Sequence, residues 1–446
     1  MRIRLPEHVQ QIIQRLEKEG YEAYAVGGCI RDTLLGRLPQ DWDITTSACP
    51  QAVKELFSHT VDTGIRHGTV TVLLNRQGYE VTTYRIDGEY EDGRHPKSVT
   101  FTGELAEDLK RRDFTINAMA YNETRGLVDE FDGTGDLKRG IIRCVGSPVE
   151  RFEEDALRML RAVRFAAQLG FDIEEETGAA VAALSGTIAK VSAERIQMEL
   201  VKLLLSPHPD MLGLAYEFGL TKVFLPEFDR MMETDQRSIH HCYTVGEHTL
   251  RTLREVPADK QLRLAMLLHD VAKPCCKTTD ENGQNHFKGH PQEGEKLAGE
   301  ILRRLKFDND TREQVCCLIR FHDDRPKLSP RNVRRAISRI GAENMPALFA
   351  VKRADTLGQS MYQREEKLQY IKDYEELFHE IQREGQCVSK KTLALGGRDL
   401  IAMGMKSGEE LGRMLDTLFE HVLEDPSLNT KERLSELAHK LDSRLI

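Results

Sequence analysis

Residues 21–46 read YEAYAVGGCIRDTLLGRLPQDWDITT, and this stretch decides the fold of the first third of the chain. A short apolar run at 21–26 predicts a strand that ends in Gly27-Gly28, where the missing Cβ atoms let backbone N–H groups approach a phosphate. Residues 29–35 are expected to open a helix. Asp41 and Asp43 are two apart, so on a strand they share one face while Trp42 turns into the fold. Paired hard oxygen ligands suit Mg²⁺, and a pair of such ions can activate a 3′-hydroxyl and steady a departing pyrophosphate. A lone Gly-Gly is a turn and a lone D-x-D a solvated loop; together, in this order, they point to nucleotidyl transfer.

Two later motifs agree. Arg111-Arg112-Asp113-Phe114-Thr115-Ile116-Asn117-Ala118 precedes Phe152-Glu153-Glu154-Asp155-Ala156-Leu157-Arg158. With G-G-x-x-R-D-x-x-x-G and D-x-D ahead of them, they resemble the tRNA nucleotidyltransferase and bacterial poly(A) polymerase family, over nearly the whole chain. The resemblance implies an α+β fold, with a polymerase-β-like nucleotidyltransferase head of mixed sheet and helices at residues 1–145. An all-α neck at 146–222, an HD-type body at 223–360 and a helical tail at 361–446 follow. It also implies template-independent addition of C, C and A to the 3′ end of tRNA, using CTP and ATP and releasing pyrophosphate. The incoming nucleotide would meet Gly27, Gly28, Arg31, Arg112, Asp113 and Arg161. Mg²⁺ would sit on Asp41 and Asp43, Arg111 and Arg112 would neutralise phosphate charge, and Asn117 would orient the sugar.

Glu154, Asp155 and Arg158 carry a chemical argument of their own, because i, i+3 and i, i+4 neighbours share a helix face. Cytosine and adenine both present an amino donor beside a ring-nitrogen acceptor, which one carboxylate and one guanidinium can read. Guanine and uracil reverse the pattern and would leave buried polar groups unpaired. By spacing alone the same residues make an intrahelical salt bridge; the family motif favours base selection. Arg195 and Glu199, in AERIQMEL, are expected to be a structural i, i+4 pair. Asp132-Gly133-Thr134-Gly135-Asp136 resembles the family's turn between head and neck.

Thr69–Leu74 and residues 78–84 read as a hairpin of core strands joined at Asn75-Arg76-Gln77. Glu80, on the second strand, is either a third carboxylate of the site or an edge-strand charge. Residues 85–97 (RIDGEYEDGRHPK) predict a mobile loop, which in the family helps the change from adding C to adding A. The net charge of −9 over 446 residues, with 40% hydrophobic content, excludes a uniformly basic nucleic-acid binder. Contact with RNA must use local patches such as residues 110–112 or RPKLSPRNVRR at 325–335, unless these are merely solvated faces. Nine cysteines without a C-x-x-C spacing fit a reducing, cytoplasmic setting. Neither a signal core nor a membrane-length apolar run is evident, and nothing indicates a protein partner.

A second constellation lies in the body: His248, His269-Asp270, His290, His322 and Asp355. In this order they resemble the HD phosphohydrolase superfamily. His248, His269, Asp270 and Asp355 would hold a divalent metal, whether Ni²⁺, Mn²⁺, Fe²⁺ or Mg²⁺, and His290 and His322 a second ion or a phosphate. Hydrolysis there would aid repair of tRNA 3′ ends. The alternatives are a poly(A) polymerase, a partial CC-adding or A-adding enzyme, and a chain that is mainly an HD phosphohydrolase acting on RNA ends.

Overall fold

A computed structural model describes residues 3–88, 99–237 and 242–442. The chain forms two compact units, Met1–Asp229 and Arg230–Ile446.

The first unit opens with helix α1, Glu7–Lys18, whose Val9, Ile12, Ile13 and Leu16 recur at helical spacing and are buried. They pack against one face of a seven-stranded sheet built from β1 (Ala23–Val26), β2 (Asp43–Thr46), β3 (Thr60–Gly64), β4 (Thr69–Leu74) and β5 (Gln77–Thr83), completed by two later strands. Strands β6 (Arg85–Asp87) and β7 (Val99–Phe101) form a separate two-stranded sheet among the described residues. Strands β8 (Ala120–Asn122) and β9 (Gly126–Val128) complete the large sheet in the order β3-β4-β5-β2-β1-β8-β9. Every residue of β1 is buried, which suits a central strand covered on both faces. Trp42 packs partly buried against the same core. The β4–β5 hairpin turns at Asn75 and Arg76 alone, both at positive φ (49° and 67°), because Gln77 already pairs with Leu74. Of the loop expected at 85–97, residues 85–87 are strand, and residues 89–98 lie outside the described residues.

The segment from Asp132 to Asp136 is not an open turn but the start of a short helix, Gly133–Arg139. A Cβ on Gly133 would lie 2.4 Å from Thr115 O, so glycine is what lets this helix seat on the RRDFTIN segment. Asp136 is buried and accepts from Thr115 Oγ1 at 2.5 Å. Helix α2 (Gly28–Leu34) follows the glycine turn, and α3 (Pro148–Glu154), α4 (Leu157–Leu169) and α5 (Ala193–Leu204) begin the helical remainder of the unit.

The second unit is almost wholly helical. Its principal helices are α6 (Val245–Arg254), α7 (Lys260–Leu268), α8 (His290–Arg304), α9 (Asn309–Phe321), α10 (Pro330–Ile340), α11 (Met345–Gly358), α12 (Arg364–Arg383) and α13 (Glu409–Glu424). Thr244 opens α6 with a reciprocal capping box to Glu247. A separate cluster around Leu400, Leu418, Val422 and Leu434 forms the core of the last segment.

The basic run at 325–335 mostly bonds within this unit. Arg334 is buried and donates to the Leu423 and Glu424 carbonyls, both at 2.8 Å, satisfying the end of α13. Arg335 pairs with Glu420 at 2.9 Å, and Arg331 pairs with Glu424.

Candidate functional site

The first site starts at the junction of β1 and α2. Gly27 has φ +85°, a conformation that demands glycine, and a Cβ there would also stand a tight 3.0 Å from Arg112 Nη1. From α2, Arg31 donates through Nη1 to Asn117 Oδ1 at 2.7 Å and through Nε to Asp32 at 2.9 Å. Asn117 donates in turn to Asp113 Oδ1 at 3.2 Å. Asp113 is buried, which by itself raises its pKa. The two-pronged bond from Arg161 at 2.9 and 2.6 Å, with Arg158 and Asn117 adding, outweighs burial and holds the carboxyl below its ordinary value. Gly27, Arg31, Arg112, Asp113, Asn117 and Arg161 are thus brought together from three distant segments.

The carboxylates stand on the sheet beside this network. Ile44 pairs with Val81 across the parallel β2–β5 ladder, and both are buried, so Asp43 and Glu80, one step earlier, face the other side. Asp41 precedes the strand rather than lying in it. Partial desolvation by the surrounding protein raises the Asp43 carboxyl, opposed by Arg112 and reinforced by Asp41. The same desolvation, then Asp43, then Asp41 raise that of Glu80. The three carboxylates therefore repel one another, a charge pattern that a divalent cation relieves.

Arg111 donates from Nε and Nη2 to Asp108 Oδ1 at 2.9 and 2.8 Å, and Arg112 approaches the other oxygen at 3.5 Å. Asp108 is fully buried, and Thr45 Oγ1 donates to it at 3.0 Å. The sequence reading missed this carboxylate, which aims both arginines. Its signal was D-x-x-R-R spacing, i to i+3 and i+4, at the end of a short helix.

The helix face expected to select the base is not built as the spacing suggested. Glu154, Asp155 and Arg158 do not share one helix: Asp155 is extended (φ −145°, ψ 102°) and separates α3 from α4. Arg158 still reaches Glu154 at 2.6 Å, but Asp155 is held from another helix by Arg195 at 2.7 Å. Arg195 and Glu199 accordingly do not pair with each other. Glu199, buried, takes Arg164 Nε at 2.6 Å. Arg164 also lies 3.6 Å over the Phe165 ring, toward which Arg31 and Arg161 converge at 5.1 and 5.4 Å.

In the second unit, His248 comes from α6, His269-Asp270 from the end of α7, His290 from the first turn of α8, His322 from the end of α9 and Asp355 from α11. All six are buried. His248 Nε2 lies 3.2 Å from His269 Nε2 and 3.0 Å from Asp355 Oδ1; His269 Nε2 lies 3.2 Å from Asp270 Oδ2. On the other side, Asp270 Oδ1 is 3.5 Å from His290 Nε2 and 3.8 Å from His322 Nε2. Two groups result, His248–His269–Asp270 and Asp270–His290–His322, each with ligand atoms within 4.8 Å of one another.

Each imidazole turns Nδ1 to a backbone carbonyl at 2.7–3.1 Å: Gly358, Met266, Phe287 and Ile319 in turn. With Nδ1 donating, every Nε2 keeps its lone pair for a cation. Neither oxygen of Asp270 accepts a well-directed hydrogen bond, although Lys273 Nζ lies 2.8 Å from Oδ2. Imidazoles of fixed tautomer around an unsatisfied carboxylate fit a divalent metal. Burial outweighed by His269 and Lys273 holds Asp270 well below its usual range, while burial with His269 and His290 pushes His322 down to about 3.

Family models place a polymerase-type head on the first unit and a tRNA nucleotidyltransferase segment on the second. A Poly A polymerase head domain matches residues 23–143, a "Probable RNA and SrmB-binding site of polymerase A" matches 170–232, and tRNA nucleotidyltransferase domain 2 matches 292–438. The chain is 37% identical, over 98% of its length and 97% of the relative's, to the CCA-adding enzyme of Limosilactobacillus fermentum. It superposes on the Bacillus stearothermophilus CCA-adding enzyme in complex with CTP with TM-score 0.74 at 30% identity, covering 99% of both chains. The Thermotoga maritima CCA-adding enzyme complexed with tRNA shares the fold at 22% identity, TM-score 0.60, over 98% of this chain and 97% of that one. The chain belongs to the CCA-adding enzyme family.

Proposed function

We propose that this protein adds C, C and A to the 3′ end of tRNA from CTP and ATP without a nucleic-acid template. The observation that carries the reading is Asp43 and Glu80 side by side on the sheet, next to the Gly27–Arg31–Asn117–Asp113 network, in a chain whose full-length relatives are CCA-adding enzymes. Gly27 and Gly28 leave room for the triphosphate, Arg31 and Arg112 balance its charge, and Asn117, fixed between Arg31 and Asp113, orients the ribose. Arg111, held by Asp108, adds positive charge for the transfer. Asp41 and Asp43, with Glu80, would hold Mg²⁺, which supplies charge neutralisation at the phosphates. Glu154, Asp155 and Arg158 read the base edge, the Glu154–Arg158 bond giving way to an amino donor and a ring-nitrogen acceptor common to C and A. Among the described residues no helix is long and apolar enough to cross a membrane, and the nine cysteines are free, as suits a cytoplasmic protein. The test is incubation with tRNA lacking its CCA end and each labelled nucleotide in turn. A product of C, C and A supports the reading; a poly(A) tail, C residues alone or no extension overturns it.

The histidine centre favours a second activity, metal-dependent phosphohydrolysis at RNA ends. Asp270, unsatisfied between two groups of Nε2 atoms, is the observation for it. His248, His269, Asp270 and Asp355 would hold one divalent ion and His290 and His322, with Asp270, a second. Such ions supply Lewis acidity toward a phosphoryl oxygen. A tRNA ending in a 2′,3′-cyclic phosphate cannot be extended until its 3′-hydroxyl is restored, so the two activities complement each other. Measuring cyclic-phosphate opening and release of inorganic phosphate with Ni²⁺, Mn²⁺, Fe²⁺ or Mg²⁺ decides it; neither under any of them refutes the activity.

A further inference from the structure

The histidine centre opens onto two cavities. One, of about 630 Å³, spreads past Phe287, His290 and Arg320; the other, of about 380 Å³, lies between α11 and α12. They share His322, Arg325, Asp355 and Lys367, so two of the six centre residues stand at their junction.

The smaller cavity has a packing cause. Toward one end α11 and α12 are zipped by Phe349 against Tyr374 and Phe378, with centroids 5.1 and 5.8 Å apart. Toward the other, Asp355 and Thr356 of α11 look across at Glu366, Tyr370 and Ile371, spaced to share one face of α12, and a gap remains. Its walls are fixed. Tyr370 donates to Pro326 O at 2.7 Å, and Lys352 Nζ donates to His322 O at 2.8 Å. Lys367 donates to Gln359 Oε1 at 2.8 Å, and Gln359 donates to Asp355 Oδ2 at 3.0 Å.

The lining combines an aromatic ring and an isoleucine with hydrogen-bonding edges at Thr356 and Glu366. Arg325 and Lys367 stand at the mouth shared with the centre, while the buried Lys352 ammonium is turned to the His322 and Asp324 carbonyls. Cavities of roughly 300–1,000 Å³ suit small ligands. A planar group with apolar faces and polar edges, joined to a phosphate, fits this order: a nucleoside phosphate. We propose that the cleft between α11 and α12 is a nucleoside subsite of the histidine centre, placing the base in the cleft and the phosphoryl group at the Arg325–Lys367 junction. The proposal rests on the phosphohydrolase reading of that centre. The reaction is hydrolysis: water oxygen forms the new P–O bond, the ester P–O bond breaks, and the leaving nucleoside oxygen takes up a proton.

The test uses the full-length wild type and Glu366→Trp, an exposed position where an indole fills the cleft without opening the core. Adenosine 2′-monophosphate and ribose 5-phosphate are titrated calorimetrically in EDTA, and hydrolysis of the same nucleotide and of p-nitrophenyl phosphate is followed with Mn²⁺. The head is identical in both proteins, so any difference between their isotherms belongs to the body. The expected result is a second nucleotide-binding event in the wild type, not seen with ribose phosphate and weakened at least about tenfold in the variant. The kcat/KM ratio of nucleotide over p-nitrophenyl phosphate should fall by a similar factor. Tyr370→Leu, matched for melting temperature, repeats the comparison should the first variant misfold. Coincident isotherms with an unchanged ratio overturn the subsite. A wild type that hydrolyses neither substrate overturns the phosphohydrolase reading instead, while the EDTA titration still decides the subsite.

Discussion

The two sites solve opposite problems. In the head, Asp41, Asp43 and Glu80 are exposed, and local features prepare their surroundings: a glycine turn, a ladder register and arginines aimed by one buried aspartate. In the body, six ligand-type side chains from five helices are withdrawn from water, with tautomers set by the main chain. An exposed carboxylate site can take its metal with the nucleotide and release it with pyrophosphate. A buried centre in which neither Asp270 oxygen accepts a well-directed hydrogen bond is suited to a resident ion, since buried polar atoms left without such bonds are costly.

Removing one carboxylate from each site should separate their roles by the largest effects. Asp43→Ala should lower CTP incorporation by about a thousandfold or more, the scale of several kcal/mol of lost metal electrostatics, with an unchanged melting temperature because the residue is exposed. Incorporation near the wild-type rate would remove Asp43 from the catalytic set. Asp270→Ala should abolish cyclic-phosphate hydrolysis and leave CTP incorporation within about twofold, since the two carboxylates belong to separate compact units. Lost incorporation would mean that the two sites are coupled.

A smaller effect is expected within the head. Arg158→Ala should raise UTP and GTP misincorporation by about 10- to 100-fold, because the guanidinium is the donor that U and G mismatch. Unchanged misincorporation would move base selection elsewhere.

Acid stability tests the Asp113–Arg161 pair. The folded carboxyl titrates below its unfolded value, so its stabilisation is full above the ordinary carboxylate range near about 4 and is lost as pH falls through the depressed folded value. Asp113→Asn should be less stable than wild type at pH 7, the gap narrowing in acid; a constant gap from pH 7 to 2 would contradict the pairing. The smallest expected effect is that of Arg335→Ala, which breaks a solvent-exposed pair and should cost no more than about 1 kcal/mol in urea melts.

How much the sequence disclosed follows from how local each feature is. Strand β1, the glycine turn and α2 are written in one contiguous stretch, as is the β4–β5 hairpin, because periodicity and turn chemistry act over a few residues. The six body residues were legible through their order alone. The break at Asp155 was not, since E-E-D-A-L-R contains good helix formers and the extended conformation is held by tertiary contact with Arg195. The partners of Arg195 and Glu199 were misread for the same reason: i, i+4 spacing permits a pair but does not forbid a stronger partner on a neighbouring helix. The run at 325–335 looked available for RNA because its counter-charges, at Glu420 and Glu424, lie some ninety residues away.

The interruption at Asp155 has a consequence for how this protein can change over generations. In an unbroken helix, adding one residue turns everything beyond it by about 100°, so a base-reading arginine would be hostage to the length of the segment before it. Here the extended residue uncouples the phase of α4 from that of α3, and Arg195 anchors the joint from outside. Length variation upstream can be absorbed at the joint, which would leave Arg158 its heading and, under the proposed base-reading role, leave nucleotide choice unchanged while the border before it drifts.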